Sequence, residues 1–178
     1  IIFDIIKRLK PSWRNELEIT DALDMLLNEK YPITYKMITD YWKDTGTPED
    51  IINANKAILE NLIPEFKGKK ELTVSIEGNV SVGNETWIGD QVKIIGPVII
   101  GKKCKISGNA IIGPNASIGN QCIISGGIIR DSIIMNNCEI EKDVNLANSI
   151  ISSNSSIKQN KIKNEQILLL GEGTKIIF

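Results

Sequence analysis

Histidine is absent from the 178 residues, which removes the commonest general base and the commonest neutral metal ligand before any motif is considered. Cysteine is scarce. Cys104, Cys122 and Cys138 are odd in number, have no Cys-x-x-Cys spacing and, without histidine, form too small a donor set for zinc, so packed, reduced thiols are expected. Neither sign of charge is in excess: 21 basic and 22 acidic side chains leave a formal charge of -1, with no basic footprint for nucleic acid or an anionic membrane. No apolar run approaches the roughly 18 residues of a membrane span, and residues 1–10 lack the cationic start and cleavage site of a signal peptide. The expectation is a soluble, cytoplasmic chain that works with small molecules or copies of itself. Hydrophobic residues, at 42%, suffice for a buried core and exclude a disordered chain.

The chain changes composition near residues 64–70, a short charged stretch with both proline and glycine that reads as a linker. Aromatics concentrate before it and glycines after it, which sets expected domains at 1–66 and 67–178. In the first part, apolar spacing over residues 21–27 predicts an amphipathic helix. Residues 33–41 mix β-branched and aromatic side chains and predict strands. Thr47-Pro48-Glu49-Asp50 supplies an N-cap hydroxyl, a proline at the first helical position and acids in the first turn, predicting a second helix to about Leu62. These elements are too few to close a sheet and bury both its faces, so this part reads as the end of an α/β or α+β domain.

The second part is periodic. Ile76, Val82, Ile88, Ile94, Ile100, Ile106, Ile112, Ile118 and Ile124 recur at an unbroken spacing of six, and small or β-branched residues, Cys104 and Cys122 among them, stand four places after them. The step contracts to five at Ile129 and Ile134 and again at Ile151, and Cys138 keeps the small position. Six residues are too few for a helical repeat and suit one short strand plus a corner. Three units make a triangular coil with aliphatic columns inside and with glycine and asparagine, including Gly83, Gly101 and Gly119, expected at corners. About five coils fit between Ile76 and Ile162, a prism on the order of 24 Å long at the spacing of paired strands.

This repeat resembles the left-handed parallel β-helix, or hexapeptide-repeat, family, and the left hand is taken from that resemblance. Lys10-Pro11-Ser12-Trp13-Arg14-Asn15-Glu16-Leu17-Glu18-Ile19-Thr20-Asp21 and Trp42-Lys43-Asp44-Thr45-Gly46-Thr47-Pro48-Glu49-Asp50 resemble the carboxy-terminal part of the sugar-1-phosphate nucleotidylyltransferases. With an added β-helix, and with Asp131-Ser132-Ile133-Ile134-Met135 and Leu170-Gly171-Glu172-Gly173-Thr174-Lys175, the whole is similar to archaeal-type glucose-1-phosphate thymidylyltransferases. The implied fold is mainly β: a left-handed parallel β-helix preceded by a small α/β remnant of a nucleotidyltransferase domain. The family's Gly-x-Gly-Thr-Arg loop, which cradles the triphosphate, does not occur, so the chain is expected to be an inactive carboxy-terminal fragment.

The resemblance implies formation of a nucleoside-diphosphate sugar, dTDP-glucose from glucose 1-phosphate and dTTP, in the intact protein, with UTP-dependent and mannose-specific variants left open. Asp44 matches the family's Mg²⁺ ligand; read from the residues alone, it shapes the turn into the following helix. No Mg²⁺ is expected to be held by the fragment, which lacks the other ligand. Glu16 matches the carboxylate that accepts hydrogen bonds from sugar hydroxyls, and equally suits a position before a helix. Asn15 stands where many bacterial members have Gly, and Arg14 could reach a phosphate or sit at the surface. The repeat also suggests hexapeptide acyltransferases, or a bifunctional acetyltransferase and uridylyltransferase, yet such enzymes typically rely on a histidine base. An assembly role is the remaining reading: a homo-oligomer, possibly a trimer, paired through the flat faces. Trp87, the one aromatic within the repeats, lies off the aliphatic ladder and could mark a packing patch.

Overall fold

The computed structural model describes residues 1–158 and 168–177. Two compact units divide the chain, Ile1–Trp42 and Lys43–Phe178.

In the first unit, α1 (Ile2–Ile6) and α2 (Ile19–Asn28) bury Ile5, Ala22 and Leu26 against each other. The Arg8 guanidinium, just after α1, pairs with Glu29 at the end of α2. The predicted helix is therefore present, two residues longer at its start. Residues 33–41, predicted as strand, contain neither strand nor helix. β-branched and aromatic residues suit a pleated surface, but a strand needs a neighbouring edge to take its backbone hydrogen bonds, and no described strand pairs with this segment. Tyr35, Met37, Ile38 and Tyr41 stay exposed.

The second unit opens with α3 (Pro48–Glu60), capped as its sequence requires: Thr47 Oγ1 accepts the Asp50 N–H at 3.2 Å and Pro48 occupies the first turn. After it the chain winds into a parallel β-helix whose three faces hold seven, seven and five short strands among the described residues. Ile162 and its neighbours lie outside the described residues. Three aliphatic columns run in strict register: Val82–Ile100–Ile118–Ile134–Ile151 on one face, Ile88–Ile106–Ile124–Ile140–Ile157 on the second, and Ile76–Ile94–Ile112–Ile129–Leu146 on the third. All but the terminal Ile76 are buried. This is the fold that the repeat implies.

The stretch 64–70, read as a linker, instead begins the solenoid. Glu65–Phe66 and Lys69–Lys70 are strands paired in parallel with Ser81–Val82 and Trp87–Ile88. The Lys67, Lys69 and Glu71 N–H groups donate to Val82, Thr86 and Ile88 carbonyls at 2.7–3.0 Å. An outermost rung needs the backbone ladder but only one buried flank, so it forms without the aliphatic signature.

Corners meet the expectation for asparagine and for Gly78, Gly113 and Gly127, but not for Gly83, Gly101 and Gly119. The left-handed backbone falls on Glu85, Gln91, Lys103, Asn109, Asn115 and Gln121, with φ of 57–61°, three places after the aliphatic residue. Gly101 is required by close approach instead: a Cβ there would lie 2.7 Å from the Gly119 carbonyl of the next coil, and one on Gly83 would lie 2.8 Å from that of Gly101.

Between two faces runs a polar column. Thr86 Oγ1 donates to the Gly101 carbonyl at 2.7 Å, Cys104 Sγ to Gly119 at 3.0 Å, Cys122 Sγ to Met135 at 3.0 Å, Cys138 Sγ to Ser152 at 3.2 Å and Ser155 Oγ to Gly171 at 3.3 Å. The three thiols are buried, as their repeat position requires, and free. Hydrogen bonding with Cys104 and Cys138, together with burial, pushes the Cys122 thiol up from its ordinary value and draws its two neighbours down to about 7; burial of all three suits hydrogen-bond donors and keeps them from acting as nucleophiles. Trp87 is half-buried, its indole N–H donating to Glu71 Oε1 at 3.0 Å and its ring beneath the Lys105 ammonium.

Because Ile106 is fully buried with a rung on each side, Ile106→Ala should leave a cavity that no loop can fill, at a cost of about 2–5 kcal/mol. Asp44→Ala should leave the melting temperature almost unchanged, and thermal melts of the two variants side by side check this. Greater destabilisation by the Asp44 variant would contradict the ladder's dominance.

Candidate functional site

Glu16 follows a tight turn in which the Asn15 N–H donates to the Ser12 carbonyl and the Ser12 N–H to the Glu16 carbonyl, both at 2.8 Å. Asn15 takes a φ of 60°, which glycine adopts freely and asparagine tolerates, so asparagine leaves the turn intact. The Glu16 side chain is exposed. Arg14 does not stand free to meet a phosphate: it donates to Glu18 Oε1 at 2.7 and 3.2 Å, and Glu18 also accepts from Ser12 Oγ at 2.9 Å. Arg14 first, and then Ser12, hold the Glu18 carboxyl below its ordinary value.

Asp44 sits in the segment leading into α3, also exposed, and no described hydrogen bond or ion pair engages its carboxylate. Its surroundings are braced. Lys43 Nζ pairs with Asp50 Oδ1 at 2.7 Å, and Thr47 Oγ1 donates to Asp50 Oδ2 at 2.7 Å while accepting the Asp50 N–H. Lys43, and then Thr47, keep the Asp50 carboxyl below its ordinary value. A carboxylate oxygen suits Mg²⁺, which takes one or two such protein ligands and completes its shell with water and substrate phosphates. Among the described residues no three of His, Cys, Asp or Glu cluster as a metal cage. The exposed Asp44 carboxylate offers an oxygen of the kind Mg²⁺ takes. Glu16 lies in the first compact unit and Asp44 in the second.

The repeat did not single out the seat of α3. Its face at Ile52, Asn55, Lys56 and Leu59 follows the i, i+3, i+4, i+7 stripe of an amphipathic helix, with Ile52 and Leu59 buried. Asn55 Oδ1 accepts from Ser117 Oγ at 2.5 Å, and Lys56 Nζ meets Asp131 Oδ1 at 2.7 Å. Asp131 stands at a left-handed corner and also accepts from Asn115 Nδ2 at 3.0 Å and Arg130 at 3.3 Å. A signal for this did exist in the sequence, since the apolar stripe of α3 has a lysine inside it.

Two family models match the chain: residues 1–61 match "Nucleotidyl transferase" and residues 94–177 match "GMPPB C-terminal domain". Its first part is thus similar to a nucleotidyl transferase domain and its second to a GMPPB C-terminal domain. It is 33% identical over 176 residues, 98% of its length and 49% of the relative's, to a glucose-1-phosphate thymidylyltransferase of Streptomyces antibioticus. Over 81 residues, 46% of the chain and 23% of the relative, it is 42% identical to the low-salt glycan biosynthesis nucleotidyltransferase Agl11 of Haloferax volcanii. Over 87 residues, 49% of the chain and 21% of the relative, it is 42% identical to the bifunctional protein GlmU of Methanococcus aeolicus. The chain spans about half, or less, of the length of these relatives. No described helix is long and apolar enough to cross a membrane.

Burial pushes the Asp131 carboxyl up, but Lys56, Asn115 and Arg130 together leave it below its ordinary value of 3.8. A carboxylate with a depressed folded pKa contributes stability that is present above its unfolded pKa and lost as pH falls through the folded one. Asp131→Asn should therefore lower the melting temperature at neutral pH, and the gap to the unsubstituted chain should close on acidification below about 4. Melting curves taken across the acid range read this; a gap that widened would reverse the assignment.

Proposed function

We propose that this chain is the carboxy-terminal part of a sugar-1-phosphate nucleotidylyltransferase that forms a nucleoside-diphosphate sugar in the cytoplasm, dTDP-glucose from glucose 1-phosphate and dTTP. The observation that carries the reading is the near full-length similarity to a thymidylyltransferase, which takes in both the Glu16 and the Asp44 segments. In the reaction a phosphate oxygen of the sugar phosphate attacks the α-phosphorus of the triphosphate in line, and pyrophosphate leaves. Glu16, exposed after a rigid turn, accepts hydrogen bonds from sugar hydroxyls, for which an ionised carboxylate offers two acceptor oxygens. Asp44 supplies one oxygen ligand to Mg²⁺. A Mg²⁺ ion held there would offset the charge that builds up on the phosphates. The chain alone is inactive, because the triphosphate-cradling loop of the family is not among its residues.

Pyrophosphate release by the intact protein, assayed over a panel of sugar phosphates and nucleoside triphosphates, tests this reading. Turnover is expected with glucose 1-phosphate and dTTP, and Asp44→Asn should reduce it at least 100-fold, as loss of a group that stabilises transition-state charge does. Absence of turnover with every pair defeats the reading.

The six-residue repeat of the solenoid offers acetyl transfer as a second reading. A sequence without histidine lacks the usual base for that chemistry. We assign the solenoid to assembly instead. Ile123 is exposed on a different face from the Ser117 face that seats α3, which supports pairing of copies as a homo-oligomer. Light scattering coupled to size exclusion should return a mass above that of one chain; a monomer at high micromolar concentration refutes assembly.

A further inference from the structure

We propose that Lys56 and Asp131 are positioning residues through which the β-helix holds the Asp44 segment in place; the metal arm of this proposal rests on the nucleotidyl-transfer reading above. Asp44 stands four residues before Pro48, where α3 begins. The intervening segment is tied to the first turn of α3 twice, by Lys43 to Asp50 and by the Thr47 cap, so it follows the helix wherever the helix goes. The helix in turn is held on the solenoid by named side chains. Ser117 on the flat face takes Asn55, and Asp131 at the corner takes Lys56.

Three observations make this seat specific. Asp131 is only 14% exposed and is shared among Lys56, Asn115 and Arg130, so three donors fix where the Lys56 ammonium can sit. The Asn55 Nδ2 group is fully buried, which shows the helix pressed closely against the solenoid at this point. The two polar contacts also come from successive coils, Ser117 from a strand and Asp131 from a corner, so sliding of the helix would break one or the other. A rigid helix anchored at Asn55 and Lys56 transmits that fixed position to its capped start. The prism therefore acts on the chemistry without contributing a reacting group, by setting where one metal-ligating carboxylate stands.

Hydrogen exchange on this chain provides the first test. Lys56→Met and Asp131→Asn should each speed exchange of the Asp50 and Ile51 amides at least tenfold, while ladder amides such as Lys105 and Ile123 stay protected and show that the solenoid remains folded. Lys56→Arg, which keeps the ion pair, should restore most of the protection. Unchanged exchange at Asp50 and Ile51 in Lys56→Met overturns the proposal, whatever the enzyme does.

The second test uses the intact protein and the Mg²⁺ concentration that gives half-maximal rate. That concentration should rise at least fivefold in Lys56→Met and recover in Lys56→Arg, with the KM for sugar phosphate unchanged. A fall in kcat at an unaltered Mg²⁺ requirement overturns the metal arm. No turnover in the unsubstituted protein defeats the nucleotidyl-transfer reading itself, and the exchange result still decides whether the solenoid holds this segment.

Discussion

Vertical register of the aliphatic columns is the constraint on which the rest depends. Each interior isoleucine is covered above and below by its counterparts, and the strands are so short that a slip of one residue would turn the interior set outward. The chain keeps this register while its coil length varies. Ile133 pairs with Ser117, sixteen residues earlier, and with Ile150, seventeen residues later. The slack is taken up at corners, where Gly126 and Gly127 both have positive φ and where Asp131 and Asn148 follow the aliphatic residue one place sooner than elsewhere. Corners are therefore the adjustable part of the solenoid and strands the invariant part. A corner is also where the seat for α3 was built.

The interior carries a second code beneath the apolar one. Thr86, Cys104, Cys122, Cys138 and Ser155 differ in size and polarity, yet each turns one donor toward a carbonyl of the neighbouring coil. Burial forbids leaving those carbonyls unpaired without cost. The cysteines thus do in apolar surroundings what a hydroxyl does at either end of the column, which accounts for three thiols in a chain without disulfides or a metal cage among its described residues.

The solenoid was legible because its signal is repeated nine times and depends on packing alone. Its beginning was not, because an outer rung is satisfied by backbone pairing and tolerates Lys70 where inner rungs carry isoleucine. The role of glycine was half legible: the repeat shows where glycines recur, but not that Gly101 answers to a neighbouring carbonyl while lysine, glutamine and asparagine carry the left-handed corners. Segment 33–41 misled because β propensity describes a side chain's fit to a sheet and cannot supply the sheet. Thr47 and its helix were readable from local rules, whereas the Lys56–Asp131 contact joins residues far apart in sequence. For the site, sequence motifs selected Glu16 and Asp44, and the structure adds what braces each of them.

The charged first rung has a further consequence. Parallel coils present an open row of backbone donors and acceptors at each end, and identical prisms could in principle stack there without limit, as strands do in fibrils. Here that end sets Glu65, Lys69 and Lys70 around Phe66 and Ile76. A second prism arriving end-on would have to strip water from those charges before the apolar residues met. Axial growth at this end is thus discouraged by the same charged residues that make the opening rung hard to recognise in sequence.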